Sequence, residues 1–76
     1  MKVLIVDDEK IVRKGIVSIL QQAFPDMQTI AEASNGEEAM KTVKTLLPDI
    51  VITDVKMPVI DGMELTKMIH TFDAEI

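Results

Sequence analysis

The chain has 76 residues, room for one small domain at most, and a chain of this length buries only about 60% of its unfolded surface. Its residues are 47% hydrophobic, which excludes a disordered segment, and the absence of cysteine excludes a disulfide staple or a thiolate metal site. The net charge of −5, with eight scattered basic residues, argues against nucleic-acid binding by this segment, because neutralising phosphates needs clustered Lys and Arg.

The opening run Val3-Leu4-Ile5-Val6 is uniformly apolar, rich in β-branched residues, and ends abruptly in Asp7-Asp8. A strand buried on both faces of a parallel sheet reads this way. The run is too short for a signal peptide, and no segment reaches membrane-spanning length, so a cytoplasmic chain is expected. Beyond Asp8, Val12, Ile16, Ile19, Leu20 and Ala23 recur at helical spacing, which predicts a helix from about Glu9 to Phe24, ended by Pro25-Asp26. Gly15 within it costs about 1 kcal/mol relative to Ala, for which close packing against a strand is the expected compensation.

A second strand is expected over 28–33. Ser34-Asn35-Gly36 then forms a turn and helix start, with Glu37 and Glu38 at the positive end of a helix from about Gly36 to Leu47. Pro48-Asp49 stops that helix. Ile50-Val51-Ile52-Thr53 is a third buried strand ending in Asp54, and the loop from Val55 to Gly62 leads to a helix from about Met63 to His70. The βαβαβα order predicts an α/β fold, a parallel sheet with helices on both faces. With Phe24 and Phe72 the only aromatic residues, the core is expected to be aliphatic, with the six methionines as filler.

Two strands therefore share a design, an apolar run capped by acid. With strand order 2-1-3, Asp7, Asp8 and Asp54 emerge together at the carboxyl edge, where open α/β sheets bind ligands. Three carboxylates so placed repel one another, and a hard divalent cation such as Mg²⁺ would relieve that. A single Asp after a buried strand is most often a helix cap or turn former. An adjacent pair plus a third is harder to assign to capping, and the pattern leaves both readings open.

Three stretches carry a resemblance: Val-Leu-Ile-Val-Asp-Asp-Glu at 3–9, Pro-Asp-Ile-Val-Ile-Thr-Asp at 48–54, and Lys-Met-Pro-Val-Ile-Asp-Gly-Met-Glu-Leu at 56–65. Together with Asn35-Gly36-Glu37-Glu38-Ala39, they resemble the receiver domains of bacterial two-component response regulators, over the whole chain and in order. The resemblance implies a flavodoxin-like (CheY-like) sheet and a phosphoacceptor role for Asp54, with a histidine kinase as partner. It implies Mg²⁺ held by Asp8, Asp54 and the backbone carbonyl of Lys56, with Asp7 acting through water. The Lys56 side chain is then a solvated charge, Pro58 and Gly62 shape the loop, and Asp61 caps a helix. A calcium loop starting at Asp54 fails, since Val59 and Leu65 stand where Gly and a bidentate Glu are needed. His70, without a partner in sequence, reads as a surface histidine, and Glu9 as the opening of helix 1.

The family's pattern has five βα units and these 76 residues carry three, so residues 1–76 are expected to be a partial receiver domain. The family's Ser or Thr after strand 4 and Lys after strand 5 have no counterpart here, which implies impaired phosphotransfer. The uncharged strand Ile50–Thr53 becomes a sheet edge, and self-association is expected to cover it. The competing reading is a non-catalytic interaction module that keeps the fold without the chemistry. An Asp-nucleophile phosphatase is disfavoured, because such enzymes resemble Asp-x-Asp after strand 1 and here the acids are adjacent. Val12-Arg13-Lys14-Gly15 and Ile52-Thr53-Asp54-Val55-Lys56-Met57-Pro58 resemble receivers joined to AraC-type DNA-binding domains.

Overall fold

The computed structural model of the chain describes residues 1–26 and 29–76. In order they form β1 (Lys2–Val6), α1 (Lys10–Ala23), β2 (Thr29–Ala33), α2 (Gly36–Leu46), β3 (Ile50–Thr53) and α3 (Gly62–Phe72). Residue 28, expected to open the second strand, lies outside the described residues. The strands are all parallel in the order β2-β1-β3, as the alternation of elements requires. Leu4 lies opposite Ala31 on one side and Val51 on the other, and Val6 opposite Ala33 and Thr53.

The central strand is the core. Val3, Leu4, Ile5 and Val6 are all buried, each stabilising the fold by roughly 1.5–3 kcal/mol relative to exposure. Leu4 and Val6 pack with Ala39, Met40 and Val43 of α2 and with Leu65 and Ile69 of α3. Val3 and Ile5 point to the opposite face, where α1 lies. Both helices on the first face begin at a side-chain cap. Asn35 Oδ1 accepts from the Glu38 N–H at 2.8 Å, and Asp61 Oδ1 from the Glu64 N–H at 2.8 Å. The Asp61 cap starts α3 at Gly62, one residue earlier than expected, and the helix runs two residues beyond His70.

Four expectations need correction. The side of α1 turned to the sheet is Arg13, Ile16, Val17 and Leu20, all half-buried, whereas Val12, Ile19 and Ala23 are exposed. Among the described residues α1 is the one helix on its face, and none of them covers the flank that carries those three residues. Gly15 likewise faces solvent, and a Cβ there would meet nothing within 4 Å, so close packing does not explain it. Among the described residues, the buried methionines are Met40 and Met57, while Met1 and Met63 are exposed. On β3, Ile50 and Ile52 are 41% and 37% exposed, so the strand is not buried on both faces. It forms the bare apolar edge also expected, opening an apolar cleft with Met1, Val3, Leu20 and Phe24.

Candidate functional site

Sheet pairing extends one residue past two of the strands and thereby fixes two acids. The Asp7 N–H donates to the Ala33 carbonyl at 3.2 Å, and the Asp54 N–H to the Val6 carbonyl at 3.0 Å. The apolar runs that end in Asp7 and Asp54 are adjacent strands, so both acids leave the same edge of the sheet. Asp7 is buried, and its Oδ1 accepts the Glu9 N–H at 2.8 Å, which orients the carboxylate and turns the chain into α1. Asp54 is half-buried and Asp8 is exposed. Each of Asp7, Asp8 and Asp54 contributes one carboxylate oxygen to a group whose members all lie within 4.8 Å of one another.

These oxygens suit a small hard cation. Octahedral ligands about 2.1 Å from Mg²⁺ sit roughly 3.0 Å apart in cis and 4.2 Å apart in trans, so the group needs little contraction. The mixed burial also fits an ion that keeps several waters, because Asp8 opens the cluster to solvent.

The loop from Val55 to Asp61 forms one wall. Met57 is buried as its anchor, while Pro58, Val59 and Ile60 line a groove with Asp8 and the Ser34–Glu37 turn. Val59 stands fully exposed at φ 68°, a left-handed conformation that a β-branched residue rarely adopts. Gly62 closes the loop by donating its N–H to the Val55 carbonyl at 2.8 Å. A Cβ on Gly62 would fall on the Asp54 carbonyl oxygen and 2.8 Å from Val55 Cα, so only glycine lets α3 start this close to the acid.

The remaining sequence candidates separate cleanly. Lys56 follows Asp54 by two residues with its side chain exposed. Asp61 is the α3 cap and does not join the acid cluster. Glu9 is the N-cap residue of α1, though its side chain makes no capping bond. His70 is exposed and lines a cleft along the β3 edge.

Two residues beside the site carry no signal in the acid pattern. Arg13 Nε donates to Glu32 Oε1 at 3.0 Å and its Nη1 to the Asp7 carbonyl at 2.7 Å, and Lys14 Nζ donates to Glu32 Oε2 at 2.8 Å. The hydrogen bond from Lys14, with a weaker contribution from Arg13, holds the Glu32 carboxyl below its ordinary 4.5 against partial desolvation. The available clue was the position of Arg13, at −3, −4 and −7 from Ile16, Val17 and Leu20, inside the stripe that faces the sheet.

A β2-β1-β3 parallel sheet with helices on both faces and acids at its carboxyl edge defines a flavodoxin-like α/β domain of the CheY-like kind. The chain belongs to the response regulator receiver domain family, whose model matches residues 3–76. It is 48% identical over 69 residues to the transcriptional regulatory protein LnrK of Bacillus subtilis, covering 91% of this chain and 31% of that protein. It is also 48% identical over 67 residues to a protein-glutamate methylesterase/protein-glutamine glutaminase of Halalkalibacterium halodurans, covering 88% of this chain and 19% of that protein. Among solved structures, a two component transcriptional regulator AraC from Clostridium phytofermentans superposes with a TM-score of 0.90 at 32% identity. That match covers 99% of this chain and 60% of that one. The chain thus spans about a third of the first of these relatives and a fifth of the second. Receiver domains are signalling modules of two-component systems and generally bind Mg²⁺ at an acidic pocket. Among the described residues no helix is long and apolar enough to cross a membrane.

Proposed function

We propose that residues 1–76 are the phosphoacceptor part of a response regulator's receiver domain, taking a phosphoryl group from a histidine kinase onto Asp54. The observation that supports this most is the gathering of one oxygen each from Asp7, Asp8 and Asp54 within 4.8 Å. An Asp54 carboxylate oxygen attacks the phosphorus of a kinase phosphohistidine, the P–N bond breaks, and its electron pair returns to the imidazole. The product is an acyl phosphate on Asp54. The chain's contribution is positioning: β1 and β3 fix Asp7 and Asp54, and the Gly62–Val55 bond keeps the loop wall in place.

The side chains of Asp8 and Asp54 and the Lys56 carbonyl would hold Mg²⁺ directly, with Asp7 acting through water. Bound there, the ion would neutralise charge on the transferring phosphoryl oxygens. The module is a signalling phosphoacceptor without turnover of its own, acting in the cytoplasm. Neither nucleic acid nor membrane is a direct partner of this segment, and the DNA-binding output, of AraC type, lies elsewhere in the parent protein. Transfer is impaired in the 76 residues alone, which lack a counterpart of the family's later Ser/Thr and Lys. Titrating Mg²⁺ while following backbone amide resonances tests the site. Binding is expected in the wild type and lost in Asp54→Asn and Asp8→Ala, and undiminished affinity in both variants would overturn the assignment.

A second reading, a self-associating interaction module, is favoured by one observation. The β3 edge carries no charge and leaves Ile50 and Ile52 exposed beside an apolar cleft. Pairing β3 with a second copy would cover both. Sedimentation at dilute concentration is expected to show a dimer or larger species, and a well-folded monomer would reject this reading.

A further inference from the structure

We infer that Arg13, held by Glu32, is a positioning residue for the acid pair Asp7-Asp8, an inference that rests on the Mg²⁺-site reading above. Its guanidinium makes a two-way fork between elements far apart in sequence. Nε is bound to Glu32 on β2 at 3.0 Å, and Nη1 to the main-chain carbonyl of Asp7 at 2.7 Å. That carbonyl belongs to the peptide leading into Asp8, so its direction sets where Asp8 leaves the sheet. Asp7 has other anchors, through its N–H and its Oδ1, whereas Asp8 makes no hydrogen bond of its own among the described residues. The exposed acid is therefore held through its two flanking peptides, by the Arg13 bond to the preceding carbonyl and by the Glu9 N–H bond to Asp7 Oδ1.

Three features make the fork more than a surface ion pair. The side chains of Arg13 and Glu32 are only 12% and 23% exposed, and water competes poorly for such groups. Glu32 lies opposite Ile5 in the sheet register, on the face where α1 lies, so it cannot leave the Arg13 side without disturbing β2. Helix α1 has no fully buried residue, no side-chain cap and no acid in its first turn. With so little else to seat its N-terminal turn, the fork couples α1 to the β1–α1 loop. Lys14 completes the shell around Glu32 through the other oxygen but does not reach Asp7.

The sign of the effect separates positioning from electrostatics. Arg13 is a cation near three carboxylates, so removing its charge would by Coulomb's law alone tighten Mg²⁺ binding. Loss of positioning would weaken it, by the order of tenfold seen when outer partners of metal ligands are removed. Mg²⁺ titration of the 76-residue chain by backbone amide resonances reads the affinity of folded molecules directly, with Arg13→Met and Glu32→Ala as the variants. Both are expected to bind about tenfold more weakly than wild type and to shift the Asp8 and Glu9 amides in the ion-free state. Lys14→Met is expected to show no loss. If Arg13→Met does not fold, Arg13→Lys decides the matter, because it keeps the positive charge while removing the two-way fork, and it too is expected to bind about tenfold more weakly. Unchanged or tighter binding in the folded variants overturns the inference while leaving the site standing. A wild type that shows no Mg²⁺ response overturns both.

Discussion

Two glycine-to-alanine substitutions in helices should move stability in opposite directions. At Gly62 an added methyl would meet the Asp54 carbonyl oxygen and lie 2.8 and 2.9 Å from Val55 Cα and the Asp54 carbonyl carbon. All three obstacles are backbone, so no rotamer change relieves them. The start of α3 must retreat by roughly 0.6–1.2 Å to restore carbon contacts of about 3.5–4.0 Å. Overpacking of this kind costs about 1–3 kcal/mol, and weakening the Gly62–Val55 hydrogen bond about 1 kcal/mol more. The better helix propensity of Ala returns at most about 1 kcal/mol. The net loss is about 1–3 kcal/mol, which at a urea m-value near 1 kcal/mol/M lowers the midpoint by about 1–3 M. At Gly15 nothing stands within 4 Å, so Gly15→Ala should gain up to about 1 kcal/mol. Urea unfolding followed by far-ultraviolet circular dichroism reads both, since the chain has no Trp or Tyr. A Gly62→Ala chain as stable as wild type would refute the close approach of α3 to Asp54.

Val59→Gly should stabilise the chain by about 1 kcal/mol, because strain at a left-handed β-branched residue is relieved, and a lower urea midpoint would contradict this. Glu32, held below its ordinary 4.5 first by Lys14 and then by Arg13, adds stability that is present above 4.5 and lost as pH falls through its lower folded value. The stability gap between wild type and Glu32→Gln should therefore narrow on acidification below 4.5, and a gap constant with pH would contradict the pairing.

Sequence alone revealed the acid cluster because each member follows an apolar strand, and neighbouring strands deliver their ends to one place. The Asp61 cap was equally legible, and the Ser34-Asn35-Gly36 turn marked the start of α2, since such side chains satisfy free N–H groups wherever a helix starts. The orientation of α1 was not. Val12 and Ile19 fit the helical period as well as Ile16 and Leu20, and only the sheet beneath decides which stripe turns inward. Arg13 was hidden for the same reason, and its partner Glu32 lies 19 residues away across a crossover. The left-handed residues Leu47 and Val59 gave no local warning, being neither Gly nor Asn. Helix and loop geometry imposes those angles from outside the residue.

Incubation of the chain with acetyl phosphate and Mg²⁺, followed by intact and fragment mass measurement, tests the phosphoacceptor claim most directly. A single phosphoryl adduct mapping to Asp54, at low occupancy in keeping with impaired transfer, absent without Mg²⁺ and absent in Asp54→Asn, is the predicted result. No adduct under any condition, or one that persists in Asp54→Asn, would contradict it.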